Sequence, residues 1–349
     1  MRLSVVDQCP VPAGSTAADA LRNTIDLAQR AERLGYTRYW LAEHHATGTF
    51  ACPAPEIMVG QVAAATSTIR VGSGGVLLPH YSPLKVAESF RVLHALYPGR
   101  IDLGIGRGLG GSPLDREGVG AFALQRQRKG EHPQDDIGEQ LIELIAFLNE
   151  GFPPQHPFSR VLVTPRMPGA PDLWLLGSTG WSADAAAQLG LPYAAAHFIH
   201  PPETRRSIEH YFANFKPSPF LDAPQALVAP AVICADSQAE AERLYASQRY
   251  MRALSALPAP DPAENGPVPS PEDAIERLGR LQTPPRREES EWPRVFLGAP
   301  EQVRDGLEKM AAALKVHELM LITVVHDHRA RVRSYELVAD AFGLEPPSA

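Results

Sequence analysis

The sequence predicts an α/β fold in which parallel strands and helices alternate, with enough strands to close a (β/α)8 TIM barrel. Three observations carry this expectation. Short apolar runs alternate with segments of helical period, eight such runs are readable, and polar residues collect where the runs end. The chain has 349 residues, a length that a barrel with insertions reaches as one domain, so a single domain over 1–349 is expected.

The first run, residues 3–6, reads as a strand. After it, Ala17, Leu21, Thr24, Leu27, Ala31 and Leu34 recur at helical spacing, with Ser15 or Thr16 able to cap the start and Gly35 able to supply a left-handed residue at the end. Residues 39–42 form the second strand, 55–66 a helix, IRVGSGGVLLP the third strand and 83–96 a helix. RIDLGIG is the fourth strand, following the stop signal YPG. DLWLLG, PYAAAH, ALVAPAVIC and HELMLITVV complete the eight, separated by helical stretches near 182–189, 203–215, 238–251 and 300–314, with another at 332–342. Strand, helix, strand in repetition requires parallel strands with helical crossovers. Two segments break the rhythm: 107–136, after the fourth strand, is rich in glycine and charge, and 257–293, before the eighth, contains LPAPDPAENGPVPSP and TPPRREESEWP. Both are read as insertions, serving as a lid, a substrate wall or plain surface.

Composition narrows the function. The formal charge is −7 with acidic and basic residues interleaved, so no basic stripe points to nucleic acid and a small-molecule role is favoured. Cys9, Cys52 and Cys234 are too few and scattered for a disulfide framework or zinc knuckle and fit a reducing cytoplasm. MRLSVVDQCP lacks the apolar core of an export signal, and no stretch has the apolar length of a membrane span, so a cytoplasmic protein is expected.

In a barrel, functional side chains sit at the C-terminal ends of the strands. There stand Asp7 and Gln8, the run Glu43, His44, His45, then His80, Arg107, Ser178 and Thr179, His197 and His200, and His326 and His328. In YWLAEHH, alternation puts Glu43 and His45 on one face and His44 on the other, so the two histidines cannot do the same job. GRGLGG, residues 106–111, matches the dinucleotide fingerprint only formally, because it follows the fourth strand and leads into SPLDREGVG, which has no helical period. HDH, residues 326–328, could hold a metal if extended, but Asp327 is better read as the cap of the next helix. GSTGWS, residues 177–182, offers the hydroxyls of Ser178, Thr179 and Ser182 at a helix start, an arrangement that suits a phosphate if it is not simply a capped helix, with Arg107 able to supply charge.

Together YWLAEHH, VGSGGVLLP, SPLKVAE, GRIDLGIGRG and the GS…S…A…GLP stretch resemble, in order and nearly in spacing, the bacterial luciferase-like flavin-dependent monooxygenases. The resemblance covers most of the chain. It implies a (β/α)8 barrel with reduced flavin mononucleotide (FMN) across the strand ends, His44 as the imidazole beside the flavin and reacting oxygen, and Glu43 and His45 in support. Arg107, Ser178, Thr179 and Ser182 correspond to the flavin phosphate site, and Gly74–Gly75 to a non-proline cis peptide beneath the ring. Where luciferase carries a reactive cysteine this chain has Gly106, so light emission is not implied. The reading is a monooxygenase that takes O2 and a small organic substrate through a C4a-peroxyflavin, with a separate flavin reductase delivering reduced FMN. A homodimer is the family's habit, and the helices at 55–66 and 83–96 could pack against a copy. A deazaflavin oxidoreductase of the same barrel type and a metal-dependent barrel hydrolase, using ligands such as Glu43, His44, His45 and His80, are the alternatives; no metal is assigned.

Overall fold

The computed structural model describes residues 1–108, 136–149, 151–257, 264–281 and 290–346, together with residue 124. Strands β1 (Arg2–Asp7), β2 (Arg38–Leu41), β3 (Arg70–Leu77), β4 (Ile101–Gly106), β5 (Asp172–Gly177), β6 (Tyr193–Ala195), β7 (Ala226–Val228) and β10 (Glu318–Leu321) close into a barrel in the order β1-β10-β7-β6-β5-β4-β3-β2. All its pairings are parallel; Val5 lies opposite Tyr39, and Leu3 opposite Leu319. Helices α1 (Ala17–Arg33), α2 (Pro55–Ala65), α3 (Pro83–Leu96), α4 (Ile137–Asn149), α5 (Gly180–Leu189), α6 (Thr204–Asn214), α7 (Gln238–Ala256), α8 (Pro271–Arg280), α9 (Pro300–Leu314) and α10 (His328–Phe342) follow in chain order.

Local chemistry explains the boundaries. Thr16 accepts from Asp19 N while the Asp19 carboxylate accepts from Thr16 N, a capping box that starts α1. Beyond its end Gly35 has φ +86, and a Cβ there would stand 2.2 Å from the Glu345 carbonyl oxygen, so conformation and space both demand glycine. Asp327 accepts from Ala330 N and caps α10, as its position in HDH predicts.

Alternation along the strands divides the core. Tyr39 and Leu41 of β2 join the layer between strands and helices, whereas Trp40 and the following Ala42 point inward with Val6, Trp174, Ala194, Leu227 and Met320. Trp40 and Trp174 meet edge to face inside the barrel, centroids 5.4 Å apart.

Three elements differ from the sequence reading. ALVAPAVIC is two strands, not one. Pro230 has no N–H for the ladder, so β7 stays in the barrel while β8 (Ala231–Cys234) leaves it and pairs in parallel with β9 (Val295–Gly298), a strand the sequence did not disclose. The segment 257–293, expected to be an element-free insertion, contains α8, whose start is capped by Ser270 accepting from Asp273 N with Pro271 at the first helical position. The surrounding prolines hid this S-P-E-D signal. Of the expected insertions, residues 109–123, 125–135, 258–263 and 282–289 lie outside the described residues, as do 109–111 of GRGLGG. No helix among the described residues is long and apolar enough to cross a membrane.

Candidate active site

The C-terminal ends of the barrel strands open into a cavity of about 1910 Å3. Its floor is apolar and of low relief: Val6, Trp40, Gly74, Gly75, Ala194 and Leu227 line it. The Gly74–Gly75 peptide is cis, in agreement with the resemblance. A Cβ on Gly74 would meet Trp40 Cβ and Val6 Cγ2 at 3.0 Å, and one on Gly75 would meet the Gly104 carbonyl oxygen at 2.8 Å. Only glycines let the backbone lie this close to its neighbours, leaving a surface suited to a planar ring. Gly106, in the place of the luciferase cysteine, also lines the cavity.

On one side of that floor stands the histidine pair. His44 continues the inward face of Trp40 and Ala42 and lines the cavity, its ring 4.5 Å from that of Phe50. Its Nδ1 is buried without a hydrogen-bond partner among the described residues. Burial, with a smaller contribution from His45, lowers its pKa to about 4, so the imidazole is neutral near pH 7. Glu43, on the opposite face, is buried and fully occupied. Its Oε2 accepts from Leu77 N (3.0 Å), and its Oε1 accepts from the Tyr81 hydroxyl (2.8 Å) and meets His45 Nε2 at 2.6 Å. Burial and the Glu43 carboxylate together raise the Tyr81 pKa, keeping the phenol a donor. Glu43 thus ties the end of β2 to the chain just beyond Gly74–Gly75 and holds His45, and both of these residues line the cavity with His44.

At the other side the structure gathers Arg107, Ser178, Thr179 and Ser182, all lining the cavity. Arg107 lies over Trp181 in the first turn of α5, 4.9 Å from ring centroid to guanidinium carbon. Thr179 occupies the N-cap position without using its side chain to cap, so the first N–H groups of α5 are not satisfied by it. Ser182 is buried, with its Oγ 2.2 Å from where a Gly177 Cβ would be, so it packs against the end of β5 only because Gly177 has no side chain. A guanidinium, hydroxyls and an uncapped helix N-terminus thus line the same part of the cavity, groups of the kind that pair with phosphates.

Three further rim histidines are engaged away from the cavity. His197 bonds to Thr204 Oγ1 and the Pro293 carbonyl, His326 to the Ala13 carbonyl and His328 to Asp26. Among the described residues no three His, Cys, Asp or Glu side chains stand together as a metal site. Sequence reasoning missed Phe50, Tyr81, Trp181 and the α7 residues Tyr245 and Gln248, which also line the cavity except for Tyr81 and Trp181. Trp181 follows the GSTG turn directly and Phe50 ends the same loop as His44, so both were within reach of those motifs; Tyr81, Tyr245 and Gln248 come from other segments.

Known proteins resemble this chain over nearly its whole length. A family model described as luciferase-like monooxygenase matches residues 1–319. A luciferase-like monooxygenase of Escherichia coli (strain K12) is 37% identical, covering 97% of this chain and 96% of its own. N-acetyl-S-alkylcysteine monooxygenase of Bacillus subtilis (strain 168) is 35% identical, with 98% of each covered. The crystal structure of apo-MsnO8 superposes with a TM-score of 0.88 at 46% identity over 99% of each chain. Two more distant structures share the fold alone: the oxygenating constituent of 3,6-diketocamphane monooxygenase in complex with FMN (18% identity, TM-score 0.68) and an F420-dependent secondary alcohol dehydrogenase (14%, 0.65).

Proposed function

Because this chain belongs to the luciferase-like monooxygenase family, we propose that it is a single-domain flavin-dependent monooxygenase using reduced FMN and O2 to oxygenate a small organic substrate. The observation that carries this reading is one cavity lined by three sets of residues: the glycines Gly74–Gly75, Arg107 with the start of α5, and the neutral imidazole of His44. Reduced FMN, when bound, supplies the two electrons that activate O2.

The residues do the rest. Arg107, Ser178, Thr179 and the α5 N–H groups hold the phosphate, with Ser182 supporting the loop, and Gly74 and Gly75 leave room for the ring. His44, neutral at working pH, takes a proton on its imidazole and returns it where the substrate reacts. Glu43 and His45 position that strand end, and Phe50 keeps water from one face of the imidazole. A deazaflavin also carries a phosphate and would use the same two ends of the cavity, so it is the second reading. None of the relatives named above is a metal hydrolase.

One phosphate cradle and no dinucleotide fingerprint support dependence on a separate flavin reductase in the cytoplasm. Ile57 of α2 and Val92 and Leu96 of α3 are exposed, an apolar face that a homodimer of this family would bury. The thioether of N-acetyl-S-benzylcysteine is the first substrate to test, given the relative named for N-acetyl-S-alkylcysteine. Anaerobic titration should give tighter binding of reduced than of oxidised FMN, and of reduced FMN than of reduced deazaflavin. With NADH or NADPH, oxidised FMN and air, the protein alone should consume nicotinamide no faster than a blank, and an added reductase should start O2-dependent turnover. Preference for the deazaflavin, or rapid NAD(P)H oxidation by this chain alone, would overturn the reading.

A further inference from the structure

The histidine pair leads into a turn that is held locally, His44 N donating to the Cys52 carbonyl and Thr49 N to Thr47 Oγ1, and is also fastened from a distant segment. Ala46, immediately after His45, has φ +51, an uncommon conformation for a residue with a side chain. Across this turn lies ENGPV, residues 264–268, from the proline-rich stretch that the sequence marks as an insertion. We propose that Asn265 is a positioning residue for His44: its carboxamide closes the turn through two hydrogen bonds and holds the imidazole in its enclosed orientation. This role rests on the reading of His44 as the acid/base group.

The amide is used at both ends. Asn265 Nδ2 donates to the Ala46 carbonyl at 2.9 Å, and Asn265 Oδ1 accepts from Thr47 Oγ1 at 3.0 Å. The orientation is dictated by chemistry, because a carbonyl can only accept and must therefore meet the NH2 end. Thr47 Oγ1 in turn accepts from Thr49 N (3.1 Å), and Thr49 Oγ1 donates to the Gly266 carbonyl (2.8 Å). The approach is close enough that a Cβ on Gly48 would stand 2.7 Å from the Asn265 carbonyl oxygen. Glycine at 48 is what lets the two segments touch.

The strap is itself anchored on both sides. Val268 N donates to the Val11 carbonyl, and Ala13 N donates to the Val268 carbonyl, joining it to the loop after β1. At its other end Glu264 Oε2 accepts from the Tyr250 hydroxyl (2.6 Å) and from Arg277 (3.2 Å), joining it to α7 and α8. Residues 49–52 are held by backbone bonds to Val11, Cys9 and His44, and Asn265 adds the fastening of the Ala46–Thr47 segment to three distant elements. An Asn at this place does so with a neutral group. An Asp could still accept from Thr47 but would set a carboxylate against the Ala46 carbonyl.

The test reads His44 directly and needs no flavin. In imidazole-nitrogen NMR of the full chain, His44 should titrate near 4 in the wild type, with Glu43 and His45 as its charged or titratable neighbours. In Asn265→Ala and in Asn265→Asp the turn should open, hydrate the ring and move the titration up by about one unit or more toward the ordinary histidine value. Thr47→Val, which removes one of the two contacts and leaves Asn265 in place, should move it the same way by less. It stands in should Asn265→Ala fail to fold. Reduced FMN affinity should stay within about threefold, because the phosphate end is formed by Arg107 and α5. A wild-type-like His44 titration in Asn265→Asp and Thr47→Val, even with a lowered melting temperature, would overturn the proposal and leave a merely structural strap. If the wild type binds no reduced flavin, the monooxygenase reading falls while this titration still decides the role of Asn265.

Discussion

The two mouths of the barrel treat polar groups in opposite ways. At the N-terminal mouth Arg38 donates to Glu318 Oε1 (2.6 Å) and Asp102 Oδ2 (2.8 Å); Trp40 Nε1 also donates to Asp102 (2.8 Å), and Ser4 Oγ to Glu318 (2.7 Å). Arg70 adds a bond to Asp102 Oδ1 at 2.9 Å, and Trp174 lies 4.9 Å from the Arg38 guanidinium. At the C-terminal mouth His44 Nδ1 and Gln248 Oε1 are buried without partners among the described residues, and α5 begins without a side-chain cap. Buried polar atoms are nearly always satisfied, so the closed ion cluster at one end reads as a structural plug, whereas at the other end satisfied Glu43 stands beside a cavity with unpartnered groups. One strand carries both: β3 starts with Arg70 in the plug and reaches the cis Gly74–Gly75 peptide at the site.

The sharpest break in this contrast is at His44. His44→Ala should retain reduced FMN binding and lose substrate oxygenation by about 10²–10⁴-fold, measured as product formed with a reductase present. His45→Ala, acting through Glu43, should lose less. A larger defect in His45→Ala with the fold intact would reverse the roles within the pair.

The plug should respond in stability instead. Arg38→Met leaves Asp102 and Glu318 buried against each other without their shared cation, which should cost about 3–5 kcal/mol in urea unfolding. Flavin affinity of the folded fraction should be unchanged. A cost below about 1 kcal/mol would mean that the plug is no more than a hydrated surface cluster.

The smallest effect is at the phosphate end. Arg107→Ala should weaken reduced FMN by about one to two decades, corresponding to one charge-assisted hydrogen bond, and leave reduced riboflavin nearly unaffected. Equal losses for the two ligands would remove the phosphate from this end of the cavity.

The sequence by itself determined the barrel, because strand and helix periods, caps such as Thr16 and Asp327, and stops such as Gly35 depend on residues a few positions apart. It also marked the candidate ends of the site: EHH follows an apolar run and GSTG precedes a helix, while the family resemblance pointed to the glycine pair of β3. Tertiary structure decided everything whose partner is distant. Pro230 splits a run that looks continuous, yet only the pairing with β9, more than sixty residues later, makes β8 a strand of its own. Tyr81 becomes a site residue through Glu43, and Asn265 through Ala46 and Thr47, 218–219 residues away. Local patterns report backbone preference and burial, which are short-range properties. Which side chain completes another's hydrogen bonds depends on how the folded chain brings distant segments together, and no spacing in the sequence encodes that distance.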